Sequence, residues 1–126
     1  QPMKKIIFTP DAPLPIGPYS QAMQLGNLIF TSGQISLNAD GVIAPDDVAG
    51  QTRVVIGNLK KILESQSSSL ENVIKTTVFL MDMNEFSQMN EVYGEFFKEN
   101  PPARSTIEVA RLPKDARVEI EVIAFV

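Results

Sequence analysis

The sequence contains no cysteine, no histidine and no tryptophan. The first two absences exclude disulfides, thiol nucleophiles, imidazole bases, Ser-His-Asp triads and every zinc site built from Cys or His. Any chemistry must use carboxylates, Arg, Lys, Tyr, hydroxyls and the backbone, and no metal site or cofactor motif is expected. Positive charge is also short: eleven Lys plus Arg stand against fifteen Asp plus Glu, for a net charge of -4. That sign is wrong for gripping a phosphate backbone or an anionic bilayer, which argues against nucleic acid as a main partner. Long hydrophobic runs are missing too. The longest, Val122 to Val126, has five residues, where a membrane helix needs about 20. Met3-Lys4-Lys5 followed by Ile6, Ile7 and Phe8 only imitates a secretory leader, since the apolar stretch stops at Thr9-Pro10. The missing leader and the absent cysteine together point to the cytoplasm.

What is present is an ordinary folding composition: 126 residues, 44% hydrophobic and 21% charged, enough for one domain with a real core. Gln1-Pro2 ahead of Met3 reads as a cloning remnant, so the domain is expected over 3–126. Two segments carry the 3.6-residue period of a half-buried helix. Val48, Thr52, Val55, Ile56, Leu59, Ile62 and Leu63 form one stripe; Phe86, Met89, Tyr93, Phe96 and Phe97 form the other. The first helix should start at Asp46 or Asp47 and fray in Gln66 to Ser69. The second should start between Asp82 and Asn84, with Asp82 and Glu85 at capping-box spacing, and end near Glu99 ahead of Pro101-Pro102. Strands are expected over Gln21 to Leu25 and Leu28 to Ser32 around Gly26-Asn27, over Val73 to Met81, Ala103 to Val109 and Arg117 to Val126, with an edge strand at Lys4 to Phe8. Strands and helices do not alternate strictly, so the fold class is α+β with a mixed sheet.

Two helices cover one face of such a sheet. The last strand nevertheless puts Val118, Ile120, Val122, Ala124 and Val126 on one side and Ile123 and Phe125, with Arg117, Glu119 and Glu121, on the other. Ile74, Val78 and Leu80 likewise oppose Val73, Phe79 and Met81. An apolar second face calls either for self-association or for cover by the chain's own loops.

Several residues can carry chemistry. Arg104 follows Pro101-Pro102-Ala103, so its stem is stiffly presented and its planar fork of donors could anchor a carboxylate; a rim salt bridge is the plain alternative. Glu119 and Glu121 share one strand face. Either could act as a general base if partly buried, or belong to a solvated face paired with Arg111, Lys114 or Arg117. Tyr19 stands on the Gly17-Pro18-Tyr19-Ser20 turn, Ser32 and Gly33 end a strand where backbone amides could approach a ligand, and Asn90 lies on the second helix. Each of these has an equally good packing explanation.

A longer pattern links them. Ile16-Gly17-Pro18-Tyr19-Ser20-Gln21, Thr31-Ser32-Gly33-Gln34-Ile35 and Pro102-Ala103-Arg104-Ser105-Thr106-Ile107-Glu108-Val109-Ala110-Arg111-Leu112-Pro113-Lys114-Asp115 occur in this order. With Lys75 to Phe79 and Asn90 to Tyr93 they make the chain resemble the reactive intermediate deaminase family, also called RidA or YjgF, from about Lys5 to Val126. The resemblance implies a chorismate-mutase-like α+β fold, two helices on one face of a mixed sheet, and a homotrimer with small-carboxylate clefts between subunits. It implies hydrolysis of reactive 2-imino acids or their enamines, such as 2-iminobutanoate and 2-iminopropanoate, to 2-oxo acids and ammonia, without a cofactor. By the same resemblance Arg104 grips the substrate carboxylate, Glu119 orients the attacking water, and Tyr19, Ser32, Gly33, Asn90 and Thr106 line the pocket. Thr106 departs from the cysteine common at that place, which removes thiol-based regulation and leaves a backbone contact intact. Two other readings go with the resemblance: a non-catalytic regulator that binds 2-oxo acids or related carboxylates, and an RNA-directed translation inhibitor or ribonuclease. Replacing Glu119 should separate the first from catalysis, while the acidic balance, the lack of His and the two Tyr weigh against the second.

Overall fold

The computed structural model describes residues 3–126; the cloning remnant proposed at positions 1 and 2 lies outside the described residues. Six strands and two α-helices follow one another as β1 (Lys5–Ile7), β2 (Ala22–Leu25), β3 (Leu28–Thr31), α1 (Val48–Glu64), β4 (Val73–Leu80), α2 (Phe86–Phe96), β5 (Ala103–Glu108) and β6 (Val118–Phe125). They build one mixed sheet in the order β1-β2-β3-β6-β4-β5, antiparallel except for β4 and β5. Parallel neighbours need a crossover, and α2 supplies it. Strand β6 lies between β3 and β4 and runs antiparallel to both. The β3-α1-β4 unit is thus a split βαβ whose gap the last strand fills. No helix of the described residues is long and apolar enough to cross a membrane.

Local chemistry explains the element ends. Asp47 caps α1, its Oδ2 accepting from the Gly50 amide at 2.8 Å, and all seven predicted stripe residues of α1 are buried. The Gly26-Asn27 hairpin forms with Gly26 at φ +60°, a conformation that costs glycine little. The second helix needs correction at both ends. A 3₁₀ turn over Met83–Glu85 comes first, with Asp82 accepting from the Asn84 amide at 2.9 Å, so the α-helix starts at Phe86. The expected capping box does not close, because the Glu85 carboxylate is engaged by Arg117 at 2.9 Å. The helix stops at Phe96 rather than near Glu99: Phe97 leaves helical geometry with ψ 54° while its ring turns inward onto Tyr93.

Both helices pack on the face made by Ile7, Ala22, Ile29, Val78, Leu80, Val118, Ile120, Val122 and Ala124. The alternation of β6 is as expected up to Ala124, whereas Val126 is exposed. The alternation of β4 is not. The register slips between Val73 and Lys75, leaving Ile74 as an extra residue. This bulge turns Val73 into the core beside Thr76, Val78 and Leu80 and leaves Ile74 exposed.

The opposite face is covered in part by the chain itself. Ile35, Leu112 and Ala116, with Leu37, Ile43, Phe79 and Val109, form a second small core under the loops. Elsewhere an apolar row crosses this face from strand to strand, Ile6 to Met23 to Phe30 to Ile123, with Leu25, Leu28 and Phe125 beside it. Ile6, Leu25, Phe30 and Phe125 of this surface are exposed.

Candidate active site

Four of the expected residues meet in one cavity of about 480 Å³ on the loop-covered side of the sheet. Tyr19, Ser32, Gly33 and Glu119 line it, together with Glu121 and the apolar side chains of Pro13, Ile16, Ile35, Leu37 and Pro113. Tyr19 folds over its own turn, its amide donating to the Gly17 carbonyl at 2.8 Å and its hydroxyl accepting from the Ile16 amide at 3.3 Å. The Ser32 hydroxyl donates to the Ser20 carbonyl at 2.6 Å, and the Ser32 amide donates to the Gln21 carbonyl at 2.9 Å. These bonds tie the end of β3 to the turn that carries Tyr19.

One side chain organises that turn. Gln21 is buried; its Oε1 accepts from the Thr9 amide at 2.8 Å, and its Nε2 donates to the carbonyls of Thr9 and Pro13 at 3.0 and 2.9 Å. A buried amide so fully satisfied holds a segment that has no regular structure of its own. Sequence reasoning placed Gln21 in a strand and missed this role.

Glu119 stands at the floor, on β6. A Cβ at position 33 would lie 2.7 Å from its carboxyl carbon, so glycine is what leaves room for the carboxylate against the strand end. Half-burial raises the Glu119 pKa above the ordinary carboxylate value, and the neighbouring Glu121 adds to the rise. No donor among the described residues bonds the Glu119 carboxylate: Arg111 pairs with Asp115, Arg117 pairs with Glu85, and Lys114 enters no ion pair among the described residues. The expected pairing of Glu119 with one of these three basic residues therefore does not form.

Arg104, Asn90 and Thr106 are elsewhere. In the sheet register Arg104 lies beside Thr76 and Thr106 beside Val78, both core-facing positions, whereas Glu119 lies beside Phe79 on the other face. Within one chain, Arg104 and Glu119 thus project from opposite faces of the sheet. Arg104 reaches over α2, where its Nη1 donates to Asn90 Oδ1 at 2.7 Å and its Cζ sits 4.6 Å from the Tyr93 ring centroid and 5.5 Å from that of Phe86. No ion pair of the described residues uses it, so it is not the rim salt bridge. The Thr106 hydroxyl is buried without a hydrogen-bond partner. Sequence reasoning assigned Phe86 and Tyr93 to the helix core alone; the available signal was that both share a helix face with Asn90, four residues before it and three after. Among the described residues there is no cluster of three or more acidic side chains suited to a metal ion.

A mixed six-stranded sheet backed by two helices, with Glu119 in a pocket on one face and Arg104, outside every ion pair of the described residues, on the other, defines a small α+β domain. The chain belongs to the endoribonuclease L-PSP family, the group that includes the RidA/YjgF proteins, and the family model matches residues 9–126. It is 49% identical over 125 residues to the 2-iminobutanoate/2-iminopropanoate deaminase of Escherichia coli, covering 97% of this chain and 98% of that one. It is 55% identical over 124 residues to a RutC family protein of Pyrococcus horikoshii, covering 98% of each. Among solved structures it superimposes on the E. coli YjgF gene product with a TM-score of 0.89 at 49% identity, covering 96% of this chain and 98% of that one. It matches E. coli TdcF with bound serine at a TM-score of 0.91 and 48% identity, covering 97% and 98%.

Proposed function

We propose that this protein hydrolyses 2-imino acids and their enamine tautomers to 2-oxo acids and ammonia, with Glu119 and Arg104 as the catalytic pair. The observation that carries the reading is the Glu119 carboxylate, half-buried, unpaired and backed by Gly33 in a pocket otherwise lined mainly by apolar side chains and backbone. The deaminase name of the E. coli relative and the serine bound in E. coli TdcF support a small carboxylate-bearing ligand.

The chemistry asks little of the protein. An iminium carbon is already electrophilic, so the site must hold the substrate carboxylate, place a water and move one proton. Arg104 offers the fork for the carboxylate. Glu119 takes a proton from water as the oxygen adds to the iminium carbon. Returning that proton to the nitrogen of the tetrahedral adduct makes ammonia the leaving group, and as the C–N bond breaks Glu119 takes the hydroxyl proton, so that the C=O bond forms. Tyr19, Ser32 and Gly33 shape the pocket around Glu119, while Asn90 and Thr106 serve the Arg104 side.

An imino acid's carboxylate carbon is bonded directly to its imine carbon, so the two catalytic groups must converge on one small molecule. Because they leave opposite faces of one chain's sheet, the reading requires a neighbour to supply one of them. We therefore take residues 3–126 as one domain that assembles as a homotrimer, with the apolar row Ile6-Met23-Phe30-Ile123 as surface available for assembly. The ribonuclease activity in the family's description finds no support in this chain's charge: the net charge is -4, and Arg111 and Arg117 are engaged in ion pairs.

The test is to generate 2-iminobutanoate in place with a threonine dehydratase and follow its decay. The protein should accelerate decay, Glu119→Gln should lower that rate by about 10²-fold or more while retaining affinity for 2-oxobutanoate, and Glu121→Gln should change it far less. Full activity in Glu119→Gln would reject carboxylate-assisted hydrolysis. Unaltered decay with the wild-type protein would leave carboxylate binding as the function.

A further inference from the structure

The deaminase reading leaves unexplained how Arg104 is held while its donors stay free. An arginine side chain has many rotamers, and an anchor that must first be ordered binds weakly. The usual device is a carboxylate partner, but that would occupy the fork and cancel the charge meant for the ligand. Among the described residues Arg104 has no such partner. Its hydrogen bond to Asn90 Oδ1 at 2.7 Å uses one terminal nitrogen.

The remaining support is aromatic. The Tyr93 ring lies 4.6 Å from the guanidinium carbon, closer than Phe86 at 5.5 Å. An aromatic face attracts a cation through its quadrupole and consumes no N–H donor. The Tyr93 ring is itself immobilised. It is almost wholly buried, its hydroxyl shares a 2.8 Å hydrogen bond with the fully buried Thr76 hydroxyl, and its face packs against Phe97 at 4.6 Å between centroids. Thr76 is also the residue beside Arg104 in the β4-β5 register. The strand that carries the arginine and the strand that locks the ring are therefore neighbours, which sets guanidinium and ring in one frame.

We propose that Tyr93, locked by Thr76, is a positioning residue that seats the Arg104 guanidinium on its ring and so presents the donors that Asn90 leaves open, in an ordered fork, to a substrate carboxylate. The proposal rests on Arg104 being the carboxylate anchor. Burial keeps the Tyr93 phenol in its neutral form well into alkaline conditions, which preserves the hydroxyl bond to Thr76.

The experiment compares wild type, Tyr93→Leu, Tyr93→Phe and Arg104→Ala by calorimetric titration with 2-oxobutanoate, by the NMR shift of the Arg104 Nε–Hε group, and by steady-state kinetics. Tyr93→Leu should bind about tenfold more weakly, the size expected for loss of a partly desolvated cation–π contact. It should also raise KM with little change in kcat, and move the Arg104 proton downfield as ring shielding is lost. Tyr93→Phe keeps the ring and should recover most of the affinity and the shielding. A merely structural Tyr93 would lower the melting temperature of Tyr93→Leu without moving KM or the Arg104 resonance, and that result overturns the proposal. Should the leucine variant fail to fold, Tyr93→Met takes its place in the same comparison. If Arg104→Ala binds as tightly as wild type, the anchor reading falls and this proposal with it. If Arg104→Ala loses binding and Tyr93→Leu does not, the anchor stands and Tyr93 is ordinary helix core.

Discussion

Ionising Glu119 places a charge in a half-buried, mainly apolar pocket beside a second carboxylate, and this has two consequences that run in opposite directions. If Glu119 is the base of the proposed hydrolysis, activity needs it ionised, so the acid limb of kcat/KM should lie above the ordinary glutamate range, and Glu119→Gln should abolish it. Stability prefers the neutral acid. Below the unfolded-state pKa of about 4.3 both folded and unfolded chains hold the proton and nothing is lost. As pH rises from there through the raised folded-state value, the unfolded chain ionises first and the folded protein loses stability. Glu119→Gln should therefore melt slightly above wild type at pH 7, and the difference should vanish below about pH 4. Paired thermal scans at the two pH values check this. The gain is small because solvent reaches half of the side chain. A carboxylate kept in the pocket at a cost in stability is what the proposed role of Glu119 as a base would require, a familiar trade between function and folding.

The elements show where pattern reading succeeds and where it stops. The start of helix α1 was legible to within a residue, and its end, at Glu64, came just before the polar run where fraying was expected, because the stripe from Val48 to Leu63 and an acidic cap point to one span. Asp47→Ala should cost about 1 kcal/mol of stability, through loss of its bond to the Gly50 amide, and leave imine hydrolysis unchanged; chemical denaturation with parallel rate assays measures both. Strand β4 was legible in extent but not in facing. Nothing in Val73-Ile74-Lys75 marks a bulge, since neither Gly nor Pro is present, and one inserted residue reverses the facing of Val73. The end of α2 was missed for a different reason. Phe97 fits the helical stripe yet is buried by turning out of the helix onto Tyr93, so the same apolar signal arises from a non-helical residue. Phe86 and Tyr93 were hidden in that way as well: a residue that satisfies the core pattern gives no sign that its ring also faces a guanidinium. The motif residues around Gly33 and Arg104 were legible only as a linked set, because each taken alone has a sufficient packing explanation.

At the scale of the whole molecule, the parity of the strands sets how many chains the proposed site would need. Arg104 counts on the helix-facing side and Glu119 on the other, a relation that sequence could not yield until the register of β4 with its two neighbours was known. It makes a sharp prediction about mixtures. Arg104→Ala and Glu119→Gln should each be inactive as pure proteins, yet equal amounts unfolded and refolded together should regain about one quarter of wild-type activity, since random assembly pairs an intact arginine with an intact glutamate at about one site in four. Assay of the refolded mixture against each refolded parent decides it. No recovery in properly assembled mixtures would mean that both groups act from one chain, and light scattering confirms the assembly.

If Arg104 and Glu119 serve one site, their placement on opposite faces would also make dilution a form of control. On the proposed function a chain holds half of a site and gains turnover only by meeting its neighbours, so specific activity should rise steeply with protein concentration and then level off. A dilute sample should lose activity at the rate at which subunits part. The quantity of this protein in its surroundings would then set not only how much catalyst is present but whether there is any.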